Sequence, residues 1–510
     1  MFFLDRVSHR WLVPAIASSG LCLMAQTPSQ ALQFNFSYEE GTPFEQMVGF
    51  QVAGDWWASH ITDDVTLNIH VGISNSLPEN VVGGALPGMQ ALKSYGDYYS
   101  KLNHDLSMFM ANNNLTMPMN NPDFEALSGL QGHEDQNGYY YKGQLEQNIW
   151  KIYQTSLTNA NAKAIDMVSS NSETLDGMIM MNDLTNSKYS WDYNFDRSND
   201  IDKKSLDFLS VAVHEIGHVL GFVSAFDTVE KKEQKATEQE NIDRVKRTTS
   251  LDLFRYSEQT GNDVVELRAG KASYFSVDRG YTNIADFSRG NNNIGNGSDG
   301  YQASHWKHQK KGALGIMGPA IRLGERRDLE VLDLRAMDAI GWDLQNNSNN
   351  FCTSSSSGDF LNSSFYNSDS CTEDEGITVD LSLLQQNAEA LLAEKLGESV
   401  SWLNDNKSIA AKLLTSNQND LLAEMIANST EYYQLFDPGS GGWWQILNDL
   451  GYGGWWQEYA ANDAYGQKAY FSTLEEAEAT DVPEPSSLIG LLSFITFGLL
   501  GQRSISKPQS

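Results

Sequence analysis

Ser205-Leu206-Asp207-Phe208-Leu209-Ser210-Val211-Ala212-Val213-His214-Glu215-Ile216-Gly217-His218-Val219-Leu220-Gly221-Phe222 is the stretch on which the reading of this chain turns. Apolar residues recur at helical spacing around an H-E-x-x-H core, so one helix should hold all of it. At a spacing of four, His214 and His218 project from one face and can offer two imidazole nitrogens to a single zinc, with Glu215 beside the metal's water. Zinc brings the pKa of that water toward neutrality, Glu215 takes its proton as general base, and the nucleophile attacks a carbonyl polarised by the same metal. Peptide hydrolysis is the natural use of such a set.

Gly221 follows His218 by three residues, at the place where the metzincin pattern H-E-x-x-H-x-x-G ends its helix with a residue tolerant of positive φ. That pattern next asks for His at 224, where this chain has Ser224. A catalytic zinc usually takes three protein ligands, so the third must come from elsewhere. Downstream stand Ala303-Ser304-His305-Trp306-Lys307 and Gly315-Ile316-Met317-Gly318-Pro319. The arrangement resembles the leishmanolysin-type metzincins, in which an insertion separates the helix from the third His and a Met-turn follows shortly. On that resemblance His305 is the third ligand and Met317 forms a hydrophobic floor under the metal. Asp333 to Asp343 matches the final helix and Gly-Trp ending of such domains. The resemblance covers about residues 60 to 345 and implies an α+β fold, a twisted mixed sheet plus a zinc-binding helix.

Plainer readings stand beside each piece: His305 as a satisfied surface histidine, Met317 as core filler. His308 is the rival ligand and should be exposed. A gluzincin-like third ligand, Glu238 or Glu240, would come from a stretch so charged that a solvated helix suits it better. Gly177-Met178-Ile179-Met180-Met181-Asn182 reads as a strand; in metzincins such a strand edges the cleft and pairs with an extended peptide, although a buried central strand has the same pattern.

The 510 residues allow two to four domains at roughly 150 residues each. With 40% hydrophobic and 11% aromatic residues the chain is mainly globular. Lys and Arg total 35 against 66 Asp and Glu, and the net charge of -31 repels nucleic-acid phosphates, which excludes nucleic acid as a partner.

Residues 1–31 are laid out as a signal peptide, with Arg6, His9 and Arg10 before an apolar run from Trp11 to Ala25, and Ser29-Gln30-Ala31 at the cleavage site. Residues 479–510 carry Val482-Pro483-Glu484-Pro485, an apolar stretch from Leu488 to Gly501, then Arg503 and Lys507. That order resembles the PEP-CTERM sorting signal of Gram-negative bacteria. It implies export to the cell envelope, surface or exterior, transient membrane anchoring, and an exosortase-type processing enzyme as partner. The apolar stretch is shorter than the roughly 20 residues a permanent span needs.

Between these ends the expected order is a metalloprotease domain at 32–345, a Ser- and Asn-rich linker at 346–376, and a helical and Trp-repeat region at 377–478. In the linker Cys352 and Cys371 form an even pair, which in an exported protein suggests one disulfide, two free thiols being the alternative. From Val379 to Phe436, Leu384, Ala388, Leu391, Leu392 and Leu396 fall at helical spacing and suggest a helical appendage. The repeat Gly441-Gly442-Trp443-Trp444-Gln445 and Gly453-Gly454-Trp455-Trp456-Gln457 offers paired Trp that either stack sugars of a surface polysaccharide or pack on the neighbouring domain. Gly295 to Gly300 satisfies G-x-G-x-x-G without a surrounding strand-turn-helix; it reads as a loop in which Asp299 is a calcium-ligand candidate.

The expectation is therefore an exported zinc endopeptidase acting on polypeptides. The alternative is a non-catalytic adhesion or structural protein on a metzincin scaffold. Glu215 separates the two, since a scaffold freed from catalysis need not keep a general base.

Overall fold

The structure, a computed structural model, describes residues 32–74, 81–90, 93–112, 139–142, 149–152, 154–185, 187–224, 248–267, 270–290, 297–310, 312–345, 379–416 and 470–475, of which 106–112, 139–142, 149–152 and 470–475 are given as backbone. Both expected targeting segments, Cys352 and Cys371, Glu238 and Glu240, and both Trp repeats lie outside the described residues.

The chain is mixed α+β. Its main sheet has six strands: β1 (Gln33–Tyr38), β2 (Thr66–Ser74), β3 (Val81–Pro87), β4 (Gly177–Asn182), β5 (Ala320–Arg322) and β6 (Tyr470–Glu475). They are ordered β1-β2-β4-β3-β6-β5. Strand β3 runs antiparallel to both its neighbours and every other pair is parallel.

All six residues of β4 are buried, which suits a continuous apolar run covered on both faces. Here the expectation of a cleft-edge strand is corrected. One side of β4 pairs with β2, Val71 opposite Ile179, and the other with β3, Ala85 opposite Ile179, so β4 has no open backbone edge. The antiparallel strand beyond it, β3, is the one that reaches toward the site.

Helices flank the sheet. Helix α1 (Phe44–Ala58) lies against α2 (Phe208–Leu220), and the buried Trp57 indole N–H donates to the carbonyl of Val213 at 2.9 Å. Helix α2 is shorter than the expected stretch at both ends. Ser205–Asp207 instead pairs in parallel with Ser190–Asp192, and Asp207 caps α2 by accepting the Ser210 N–H at 3.1 Å. At the other end Gly221 takes φ 130°, where a Cβ would lie 2.8 Å from Ile340 Cδ1; both the turn and the close packing call for glycine. All thirteen residues of α2 are buried, so it runs through the interior rather than over the surface.

Beyond α2 a small antiparallel sheet (Arg255–Tyr256, Ser273–Phe275, Ala285–Phe287) leads back toward the site. Helix α3 (Val331–Ala339) follows β5, and Trp342 then donates its indole N–H to the Leu220 carbonyl at 3.0 Å, bracing the end of α2. The region expected as an appendage supplies helix α4 (Leu381–Leu396) and two short helices, Val400–Asp405 and Lys407–Thr415. Their buried Ala388, Leu392, Leu403, Ala410 and Leu414 join the same core, and α4 packs on α1. No described helix is long and apolar enough to cross a membrane.

Candidate metal centre

Three histidines converge in the interior. The Nε2 atoms of His214 and His218 are 3.0 Å apart, and each lies 3.2 Å from Nε2 of His305. All three rings are buried, and among the described residues they are the one group of His, Cys, Asp and Glu placed to hold a metal ion. The helix supplies two of them because a spacing of four returns to one face of α2. His305 comes from the loop after the small antiparallel sheet. Its carbonyl accepts the Ser288 N–H at 3.0 Å, and the next residue, Trp306, stacks on Phe287 with centroids 5.1 Å apart.

The outer ring nitrogens are also committed. Nδ1–H of His214 donates to the Ile316 carbonyl at 2.7 Å, that of His218 to Phe222 at 2.7 Å, and that of His305 to Gln302 at 3.2 Å. A carbonyl can only accept, so these bonds place the proton on Nδ1 and the lone pair on Nε2 in each ring. Burial holds the His214 pKa down to about 4 and pushes those of His218 and His305 well below the ordinary range. The neighbouring imidazoles add to the depression at His218 and His305. Neutral imidazoles with inward lone pairs can hold a metal ion.

Glu215 is fully buried beside the triad, and its Oε1 lies 3.1 Å from where a Cβ at Gly83 of β3 would stand. A side chain at that position would crowd the carboxylate. Met317 is also fully buried, and its Sδ would sit 2.4 Å from a Cβ on Gly217, so the thioether fits directly against the bare backbone of α2 at the residue before His218.

One carboxylate that sequence reasoning passed over ties these parts together. Asp333 Oδ1 accepts the Trp306 indole N–H at 2.8 Å and the Met317 N–H at 3.2 Å; Oδ2 accepts the N–H of Ile316 at 2.8 Å and of Glu330 at 3.0 Å. Through it the His305 loop, the Met317 turn and the start of α3 share one buried hub. Burial pushes its pKa up to about 6, against the pull of the four N–H donors.

The remaining candidates fall elsewhere. Ser224, where the metzincin pattern has His, donates its hydroxyl to Asp252 Oδ1 at 2.7 Å and is no ligand. His308 lies outside the triad, but it is half-buried rather than exposed, stacked on Tyr301 with centroids 4.7 Å apart. Asp299 accepts the N–H of Arg289 at 3.0 Å and of Tyr301 at 3.4 Å, and no metal-ligating group forms around it among the described residues.

Comparisons with protein-family models, with curated proteins and with solved structures find no match to this chain. What the centre does is argued from its own chemistry.

Proposed function

We infer that the chain is an exported zinc endopeptidase of the metzincin type, similar in the order of its motifs to the leishmanolysin-like enzymes. The observation that carries this reading is the set of three Nε2 atoms 3.0–3.2 Å apart, with Glu215 adjacent on the same helix. The donor set fits zinc. Tetrahedral bonds of about 2.0–2.1 Å require nitrogens about 3.3 Å apart, close to the observed separations, and three protein ligands are the number that catalytic zinc sites keep.

When bound, zinc supplies a Lewis acid that brings a coordinated water toward a pKa of about 7 and polarises the scissile carbonyl. The chain's own residues do the rest. His214, His218 and His305 hold the metal with fixed tautomers. Glu215 accepts the proton of the attacking water and passes it to the departing amine nitrogen. Met317 shapes the apolar floor, and Asp333 holds the His305 and Met317 loops in register. Export rests on the signal-peptide and PEP-CTERM resemblances at the two ends, and a net charge of -31 disfavours nucleic acid.

Turnover of an unfolded polypeptide by the zinc-loaded chain and its Glu215→Ala variant tests the reading. The variant should keep one zinc per chain and lose turnover by on the order of a hundredfold or more. Equal turnover in the two would overturn Glu215 as the general base, and none in either would favour a non-catalytic scaffold.

A further inference from the structure

Strand β6 sits in the sheet as a peptide ligand would. On one side it runs antiparallel to β3, with Tyr470 opposite Ala85, Phe471 opposite Gly84, Ser472 opposite Gly83 and Thr473 opposite Val81. On the other it runs parallel to β5, with Thr473 opposite Ala320, Leu474 opposite Ile321 and Glu475 opposite Arg322. Beside one another in the order β3-β6-β5, the two outer strands form a slot one strand wide whose walls meet β6 through backbone groups.

Both walls belong to the metal centre. Gly83 of β3 is the residue whose Cβ position lies 3.1 Å from Glu215 Oε1. Strand β5 starts three residues after Met317, on the same turn whose Ile316 carbonyl holds His214. Strand β6 also approaches α2 itself. Its one register irregularity falls between Ser472 and Thr473, opposite Gly83 and Val81, at the level of the carboxylate. An extended backbone in this slot therefore crosses the centre beside the general base, and main-chain pairing on both sides makes the fit tolerant of sequence.

We propose that residues 470–475 are an internal occupant of the polypeptide-binding slot, and that an external chain enters only when this segment is displaced. The purpose assigned to the slot rests on the peptidase reading; the occupancy rests on strand pairing alone. The segment comes from the region beyond the helical layer, so it closes the site in cis and sets an effective concentration against which any substrate competes.

The test is made on full-length, zinc-loaded Glu215→Ala chain, so that a bound peptide is not consumed and hydrolysis is not read. The probe is a fluorescent hexapeptide with the sequence of Tyr470–Glu475. Ser472→Pro together with Thr473→Pro removes two backbone N–H donors from the middle of the segment. With zinc retained at one per chain, the double variant should bind the probe at least tenfold more tightly than the parent. Equal affinity, or no binding by either, overturns the proposal.

Hydrogen exchange on the parent gives a second reading that needs no proline. Amides of 470–475 should be protected, and excess unlabelled hexapeptide should speed their exchange at least tenfold while Val81–Pro87 stays protected. An unprotected segment, or one that the peptide leaves unchanged, overturns it equally. If the wild-type chain proves unable to hydrolyse peptides, the peptidase reading fails while these binding results still stand.

Discussion

Replacing Asp333 by Asn probes the architecture of the centre without touching a ligand. The carboxylate takes four N–H donors, from Trp306, Ile316, Met317 and Glu330, at 2.8–3.2 Å. Asparagine keeps the shape but has one carbonyl oxygen, enough for two of the donors, and its NH2 group then faces the other two. Hydrogen bonds to charged groups contribute about 1.5–3 kcal/mol each, so two lost bonds amount to about 3–6 kcal/mol. Removing a buried charge offsets part of that, leaving a loss of about 2–4 kcal/mol. At about 2–4 °C per kcal/mol for a domain of this size, Tm should fall by roughly 5–15 °C. Because Asp333 orients the loops that carry His305 and Met317, zinc affinity should also fall by about 10- to 100-fold, the usual cost of losing an outer hydrogen-bond partner. Thermal unfolding with and without zinc reads the first effect, and competition with a chromophoric chelator the second. A variant with the parent's Tm and zinc affinity would refute the idea that Asp333 is the hub.

Two further outcomes follow from the geometry. His305→Ala removes one of the three proposed ligands and should be purified with well under one zinc per chain, whereas His308→Ala, which takes away a ring stacked on Tyr301 outside the triad, should keep zinc and most activity; elemental analysis of both variants decides, and the opposite pattern would overturn the assignment. His60 bears on acid stability: burial holds its folded pKa down to about 4 against an ordinary value of 6.5, so the unfolded chain takes up the proton first and stability falls as pH drops through this window, by about 3 kcal/mol in all. His60→Gln should flatten denaturant-measured stability between pH 6.5 and 4, and an unchanged slope would contradict the sign.

The helix and its C-terminal stop were legible because local rules govern them. Apolar spacing marked α2, a spacing of four put two His on one face, and Gly221 marked the stop. Its start was misplaced by three residues because Ser205–Asp207 finds a strand partner in Ser190–Asp192, a contact that local spacing cannot register. His305 and Met317 were legible through motif resemblance rather than periodicity, and the structure brings both to α2.

What remained hidden depends on long-range partners. The apolar run of β4 is the same whether the strand is central or at an edge. Val81-Val82-Gly83-Gly84-Ala85 does not announce a strand at all, since Gly83 has its role only because Glu215 arrives beside it. Lys163, in a short Asn- and Ala-rich helix, resembles a surface residue, yet it is fully buried and pairs with Asp176 at 2.7 Å while donating to the carbonyls of Thr66 and Ser172. Tyr470–Glu475 joins the main sheet by backbone pairing, for which side-chain pattern is a weak signal.

X-ray absorption at the zinc edge of the purified full-length chain tests the central claim most directly. The triad predicts one zinc per chain with three imidazole nitrogens at about 2.0–2.1 Å and a single light-atom ligand completing a four-coordinate shell. A shell containing sulfur, a six-oxygen shell, or fewer than three imidazoles would contradict it.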